Sequence, residues 1–137
     1  MKIFLDTNVI IDFLADRKPY SKYAFQIFEF ANQNKVQLYT SPHAIVTTHY
    51  LLKKHIDEKS LRKILLNLCD FVSLISIDSQ IIQNSLRSNM KDFEDAVQML
   101  TASKESNINF IVTRNIKDFK HSPIPSLTPD EFCEKMS

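Results

Sequence analysis

The chain contains no glycine and no tryptophan among its 137 residues. Without glycine there is no Gly-rich phosphate loop and no G-x-G-x-x-G dinucleotide fingerprint. Turns and helix ends must use Asn, Asp, Ser and Pro instead. Cysteine is scarce, with Cys69 and Cys133 alone. Two cysteines build neither a disulfide scaffold nor a zinc site, and both read as reduced core or near-core thiols. An excess of one charge is also missing: 17 Lys and Arg balance 16 Asp and Glu, a formal net charge of +1. That excludes a broad electrostatic grip on nucleic acid but permits a local basic rim around an acidic pocket. No apolar run approaches the roughly 18 residues of a membrane span, and no signal-peptide pattern opens the sequence. A cytoplasmic location, away from membranes, is the expectation.

What is present suits one domain, residues 1–137, around one core. Apolar residues make up 44%, with ten Phe. Ile3-Phe4-Leu5 is a continuous apolar run, the mark of a strand buried on both faces. Further strands are expected at Val36–Thr40, Phe71–Ile75 and INFIV, which ends at Val112. Between them lie helical segments. Asn8 reads as the cap of a helix reaching Leu14, and Tyr20–Ala31 carries an apolar stripe. Ser41-Pro42 starts a helix to about His55, and Glu58–Leu68 forms another. Asp78 and Asp92 cap two more, and Thr128-Pro129-Asp130-Glu131 is a capping-box start. The stretch Pro123 to Pro129 reads as a loop. Alternating strands and helices predict a three-layer α/β domain with a mostly parallel central sheet.

In such sheets, sites form beyond the carboxyl ends of the strands, at a switch in strand order. Asp6 directly follows the first strand. Asp92 and Asp95 open the long helix, and Thr113, Arg114, Asn115 and Asp118 follow the INFIV strand. Three separate segments therefore bring acids and amides to one predicted edge. Ionised carboxylates sharing a pocket repel, so one takes a proton or a cation enters. Mg²⁺ and Mn²⁺ suit carboxylate and water oxygens and equip a site for phosphodiester hydrolysis. No Ser-His-acid or Cys-His arrangement stands out with similar clarity.

MKIFLDTNVIIDFL, DFEDAVQMLTA and FIVTRNIKDF followed by SPIPSLTPDEF resemble, in order and spacing, the motifs of the PIN-domain family. The resemblance runs from residue 1 to residue 134. It implies an α/β/α fold and a metal-dependent nuclease using Mg²⁺ or Mn²⁺ on RNA. Many small bacterial members are toxins of toxin–antitoxin pairs, which implies a homodimer and a cognate antitoxin that blocks the cleft. By resemblance, Asp6 and Asp95 are metal-ligating acids, Asp92 an additional acid of some small members, and Asp118 the acid of the closing D-F pair. Asn115 stands where many members carry Asp, and Asp6, Asp95, Asp118 and Asn115 form the expected catalytic group. Asn8 and Thr113 support the Asp6 loop. Asp12, one turn beyond Asn8, is either a supporting residue or solvated. Arg114 is the nearest basic candidate for a phosphate contact.

Two departures from the family pattern matter. The helix SPHAIVTTHYLLKKH holds no acid where a Glu is usual, and Thr47, Thr48 or His49 occupies that stretch. His49 shares a face with Lys53 and either touches RNA there or is an ordinary partnered histidine. The other departure is Asn115, which brings no negative charge. These leave three readings: an endoribonuclease toxin, a solitary RNA-processing nuclease, or a catalytically weak RNA-binding module. A receiver-like phosphoacceptor fits poorly, because Asp6 stands alone after the first strand. Glu94 reads as solvated, and Phe25 and Phe30 lie off the main helical stripe, facing either the core or a dimer partner.

Overall fold

The computed structural model describes residues 1–137. β1 (Lys2–Leu5) lies at the centre of the sheet. Ile3 and Leu5 enter one core and Phe4 the other, and all three are fully buried. Burying a side chain such as Phe4 contributes about 1.5–3 kcal/mol, which a polar residue at any of these positions would forfeit. β1 pairs in parallel with β2 (Gln37–Thr40) and with β4 (Ile108–Val112). β3 (Val72–Leu74) and β5 (Ser126–Leu127) form the edges, giving the order β3-β2-β1-β4-β5 with every pairing parallel. The connections run outward from β1 in both directions, so the switch point lies beside β1.

The four expected strands are present, and a fifth was not anticipated. Ile111 donates its backbone N–H to Pro125 O and Thr113 donates to Leu127 O, both at 3.0 Å. The segment expected to be a loop thus pairs for two residues with β4. An edge position tolerates the prolines around it.

On one face, α1 (Thr7–Leu14), α2 (Ser21–Asn32), α3 (Pro42–Leu52), α4 (Glu58–Leu68) and α7 (Pro129–Met136) enclose the larger core around Ile10, Ile27, Leu61 and Phe132. On the other, α6 (Phe93–Lys104), a 3₁₀ turn at Ile116–Phe119 and their strands bury Ala102, Ile111 and Phe119. α5 (Ser79–Arg87) packs against α6. This is the expected three-layer arrangement.

Side chains cap most of these helices, Ser41, Asp78, Asp92 and Thr128 as their sequences predict. Ser41, Asp57, Asp78 and Asp92 each accept from the backbone N–H three residues on, and Thr128 and Glu131 form the full capping box. α3 ends at Leu52, short of His55, because Leu52 O accepts from His55 and Ile56 and closes a turn before the Asp57 cap. The absence of glycine is met at three left-handed positions by Asp16 (φ 49°), Asn34 (φ 60°) and Asn107 (φ 68°). Short polar side chains tolerate this region best among residues with a Cβ. Cys133 is buried as expected, with its thiol pushed up to about 11 by burial and then by Asp130. Cys69, by contrast, is exposed at the end of α4. No helix is long and apolar enough to cross a membrane.

Candidate active site

Leu5 pairs with Val112, so β1 and β4 leave the sheet side by side. Asp6 donates its backbone N–H to Val112 O at 3.0 Å, which fixes its Cα at the strand end. Asp6 is 8% exposed, and its carboxylate has four donors. Oδ1 accepts from the Thr7 backbone N–H at 2.9 Å and from Gln98 Nε2 at 3.3 Å. Oδ2 accepts from Thr113 Oγ1 at 2.8 Å and from Asn8 Nδ2 at 3.4 Å. All four are neutral groups. Burial pushes the Asp6 carboxyl above the usual range, against these hydrogen bonds, and the Asp118 charge pushes the same way.

Asp6, not Asn8, caps α1. The sequence rule for caps is local, whereas the partners of Asn8 are distant. Its Nδ2 reaches Asp6 and also Thr113 Oγ1 at 3.4 Å, and its Oδ1 accepts from the Arg114 backbone N–H at 3.3 Å. Asn8 therefore ties α1 to the segment after β4. Thr113 is fully buried, and its Oγ1 also accepts from the Asn115 backbone N–H at 3.0 Å. Its hydroxyl proton is committed to Asp6.

On α6, Asp92 accepts from the Asp95 backbone N–H at 3.0 Å and so holds the first turn. Asp95 is half-buried, with its carboxyl raised to about 7. Burial is the largest cause, followed by the charges of Asp92, Asp118, Asp6 and Glu94. Asp118 and Asn115 lie exposed on the turn after β4, joined by Asp118 N donating to Asn115 O at 3.0 Å. The expected acids thus share one electrostatic field, although no three His, Cys, Asp or Glu side chains converge on one point as they stand. The donor set still fits Mg²⁺ or Mn²⁺. Mg²⁺ keeps several waters and is held by one or two carboxylates, and a cation held by Asp6 or Asp95 would favour the ionised form that burial and nearby carboxylates disfavour.

Gln98 escaped the sequence reading. It is 2% exposed, with Oε1 accepting from the Ser41 hydroxyl. Ser41 Oγ itself accepts from the Ala44 backbone N–H at 3.0 Å, so its only proton goes to Gln98. The amide orientation follows: Nε2 faces Asp6, with Thr7 Oγ1 at 3.4 Å. The available signal was its spacing, one turn after Asp95 on the same helix face. Glu94 is exposed, as expected. It leans toward α3, where its Oε1 lies 3.6 Å from His43 Nε2, and His43 lies 3.3 Å from Thr47 Oγ1. An α6 acid thus approaches the part of α3 that has none.

Asp12 is 1% exposed and ion-paired. It accepts from Arg17 Nε at 2.9 Å and from Arg114 Nε and Nη2 at 2.8 and 3.3 Å. The Arg114 guanidinium also lies 4.0 Å from the Tyr20 ring centroid. Arg114 is therefore anchored on α1 rather than free beside the acids. His49 faces α4: its Nε2 lies 2.8 Å from Glu58, which Arg62 approaches at 2.6 Å. None of the clustered acids engages it.

Comparison with known proteins agrees with this fold. A family model described as PIN domain matches residues 2–117. Ribonuclease VapC1 of Aquifex aeolicus (strain VF5) is 32% identical over 139 residues, covering 98% of this chain and 94% of that protein. A chain in a toxin-antitoxin complex from Klebsiella pneumoniae aligns at TM-score 0.68 and 28% identity, covering 93% of this chain and 97% of that one. A chain of VapBC2 from Rickettsia felis, bound to a DNA fragment from their promoter, shares the fold at TM-score 0.69 and 17% identity, covering 93% and 98%. An acid-lined switch point in a five-stranded parallel sheet, together with a family match across most of its length, makes this chain a member of the PIN domain family.

Proposed function

We propose that this protein is a divalent-metal-dependent endoribonuclease and the toxin of a toxin–antitoxin pair. The observation that carries the reading is that Asp6 and Asp95 are both raised, first by burial and then by nearby carboxylates, Asp118 acting on both. Its relatives point the same way: a ribonuclease by name, and chains of toxin-antitoxin complexes.

Asp6 and Asp95 are the residues to hold Mg²⁺ or Mn²⁺, with Asp92 and Asp118 adding negative charge nearby. When bound, the ion supplies positive charge to the scissile phosphate and lowers the pKa of water. The chain's own residues do the positioning. Thr113, Asn8 and Gln98 hold the two Asp6 oxygens in a fixed plane. The exposed Asn115 amide is placed to orient a phosphate oxygen or the attacking water. Thr113, whose proton is committed, positions Asp6 instead of the substrate. RNA is the proposed substrate, a homodimer the proposed assembly, and a cognate antitoxin the proposed partner.

A second reading, a catalytically weak RNA-binding module, draws on the acid-free α3 helix and on Asn115, which stand where the family usually carries acids. Purified protein incubated with mixed single-stranded and structured RNA separates the two. Cutting with Mg²⁺ or Mn²⁺, lost in chelator and in Asp95→Asn, supports the nuclease. Equal cutting with chelator, or by that variant, overturns it. RNA bound but uncut under all conditions favours the second reading.

A further inference from the structure

The acids explain where a phosphodiester would be cut, but not where the rest of the strand lies. A cleft of about 560 Å³ opens at Asn115 and Arg114 and runs along Tyr20 and Tyr23. A second, of about 600 Å³, shares Pro19 and Tyr23 with the first and adds Lys18 and Lys22. The two adjoin at Pro19 and Tyr23, so they line a track along the start of α2 whose one end is Arg114 and Asn115, on the segment after β4.

The track carries groups the fold leaves without partners. Arg114 uses Nε and Nη2 on Asp12, leaving Nη1 without a protein acceptor. Asn115 hydrogen-bonds only through its backbone. Tyr20 is 43% exposed. Its ring is held by the Arg114 guanidinium, and the Tyr23 ring lies 5.0 Å from Lys22 Nζ. Aromatic faces interleaved with cations are the chemistry that takes successive unpaired bases without reading sequence. The bases of a duplex are already stacked on one another and cannot use such faces.

Charge along the track is nearly balanced. Arg17, Lys18, Lys22 and Arg114 face Asp12, Asp16 and Asp130. A balance this even leaves only a modest attraction for phosphate along the track.

We propose that this track binds the single-stranded RNA flanking the scissile phosphate, with Tyr20 as a base-stacking platform and Lys22 as a phosphate contact. The proposal rests on the nuclease reading, because it needs RNA at the acids. Anisotropy of a short labelled single-stranded RNA, measured over a salt series with the full chain in chelator, tests it. Tyr20→Leu is expected to lower affinity about tenfold with an unchanged salt slope, and Tyr20→Phe to retain it. Lys22→Glu is expected to reduce the slope by about 0.7 per lost phosphate contact or more. Lys63→Glu, an exposed α4 position outside the track, is expected to bind as wild type. Wild-type affinity in Tyr20→Leu, or equal affinity for duplex and single strand, overturns the track. Metal-dependent cutting by wild type but not Asp95→Asn is read in parallel. Cutting intact with a silent Tyr20→Leu removes the track alone. Binding lost in Tyr20→Leu with no cutting under any metal keeps the track as an RNA site and removes the nuclease.

Discussion

Asp6 caps the short helix α1 and Asp12 lies within it, and both are buried. Their surroundings are opposite. Asp6 is held by four neutral donors, and every charge acting on it is negative. Asp12 is gripped by two guanidinium groups. Neutral donors orient a carboxylate without cancelling its charge, so Asp6 keeps an unbalanced charge for a cation to meet. Arginines cancel the charge, so Asp12 serves as an anchor joining α1 to the segment after β4. One residue type thus divides into site and scaffold by the character of its donors alone.

The comparison breaks most sharply by substitution at the acids. Asp95→Asn is expected to reduce metal-dependent RNA cutting to background while the chain stays folded, read by cleavage assay beside circular dichroism. Asp6→Asn should do the same to activity, but it turns two acceptor contacts into donor–donor clashes, so its melting temperature should also fall. Asp12→Ala should show the reverse pattern, with stability as the first loss. Breaking a buried ion pair costs about 3–5 kcal/mol, and the lower end applies because Arg17 and Arg114 are partly exposed. Urea unfolding measures it, and an unchanged midpoint would refute the anchor role.

A finer separation comes from Gln98→Met, which keeps volume but removes the three side-chain hydrogen bonds. Outer-shell partners of a metal ligand typically contribute about 10–100-fold in affinity. Calorimetric Mn²⁺ binding should therefore weaken within that range, and unchanged affinity would show that Gln98 does not orient Asp6.

The smallest effect concerns pH. Asp95 is raised to about 7 and Asp6 is raised too, so the folded chain holds these protons more tightly than the unfolded chain. Between the unfolded carboxylate range near 4 and the folded value near 7, the folded state binds more protons. Stability of the metal-free protein should then fall as pH rises through that window. Mn²⁺ should flatten the decline by displacing the protons. Melting temperatures at several pH values, in chelator and in Mn²⁺, give the two slopes, and parallel slopes would contradict the shared-acid picture.

What could be read from the sequence was mostly local. Ile3 to Leu5 announces a doubly buried strand because its own side chains must be covered on both faces. Asp78, Asp92 and Thr128 announce helix starts because their bonds close within three residues. β5 was hidden because two residues among prolines become a strand only when β4 aligns with them. The tie made by Asn8 and the ion pair of Asp12 with Arg114 span more than a hundred residues of chain and obey no local rule. Gln98 was hidden for the same reason, since its meaning comes from Ser41 on one side and Asp6 on the other. The carboxylate positions were visible, but their environments were not.

The strand order also sets when the site becomes complete during synthesis. β1, the first strand made, occupies the centre, and β4, made late, closes the side that bears Thr113, Asn115 and Asp118. A ribosome that has released only the first three strands has delivered Asp6 without Asp95, Gln98 or Thr113. Such a fragment has a cap for α1 but no acid pair. The acids and the groups that hold them therefore come together only late in synthesis, after β4 has emerged.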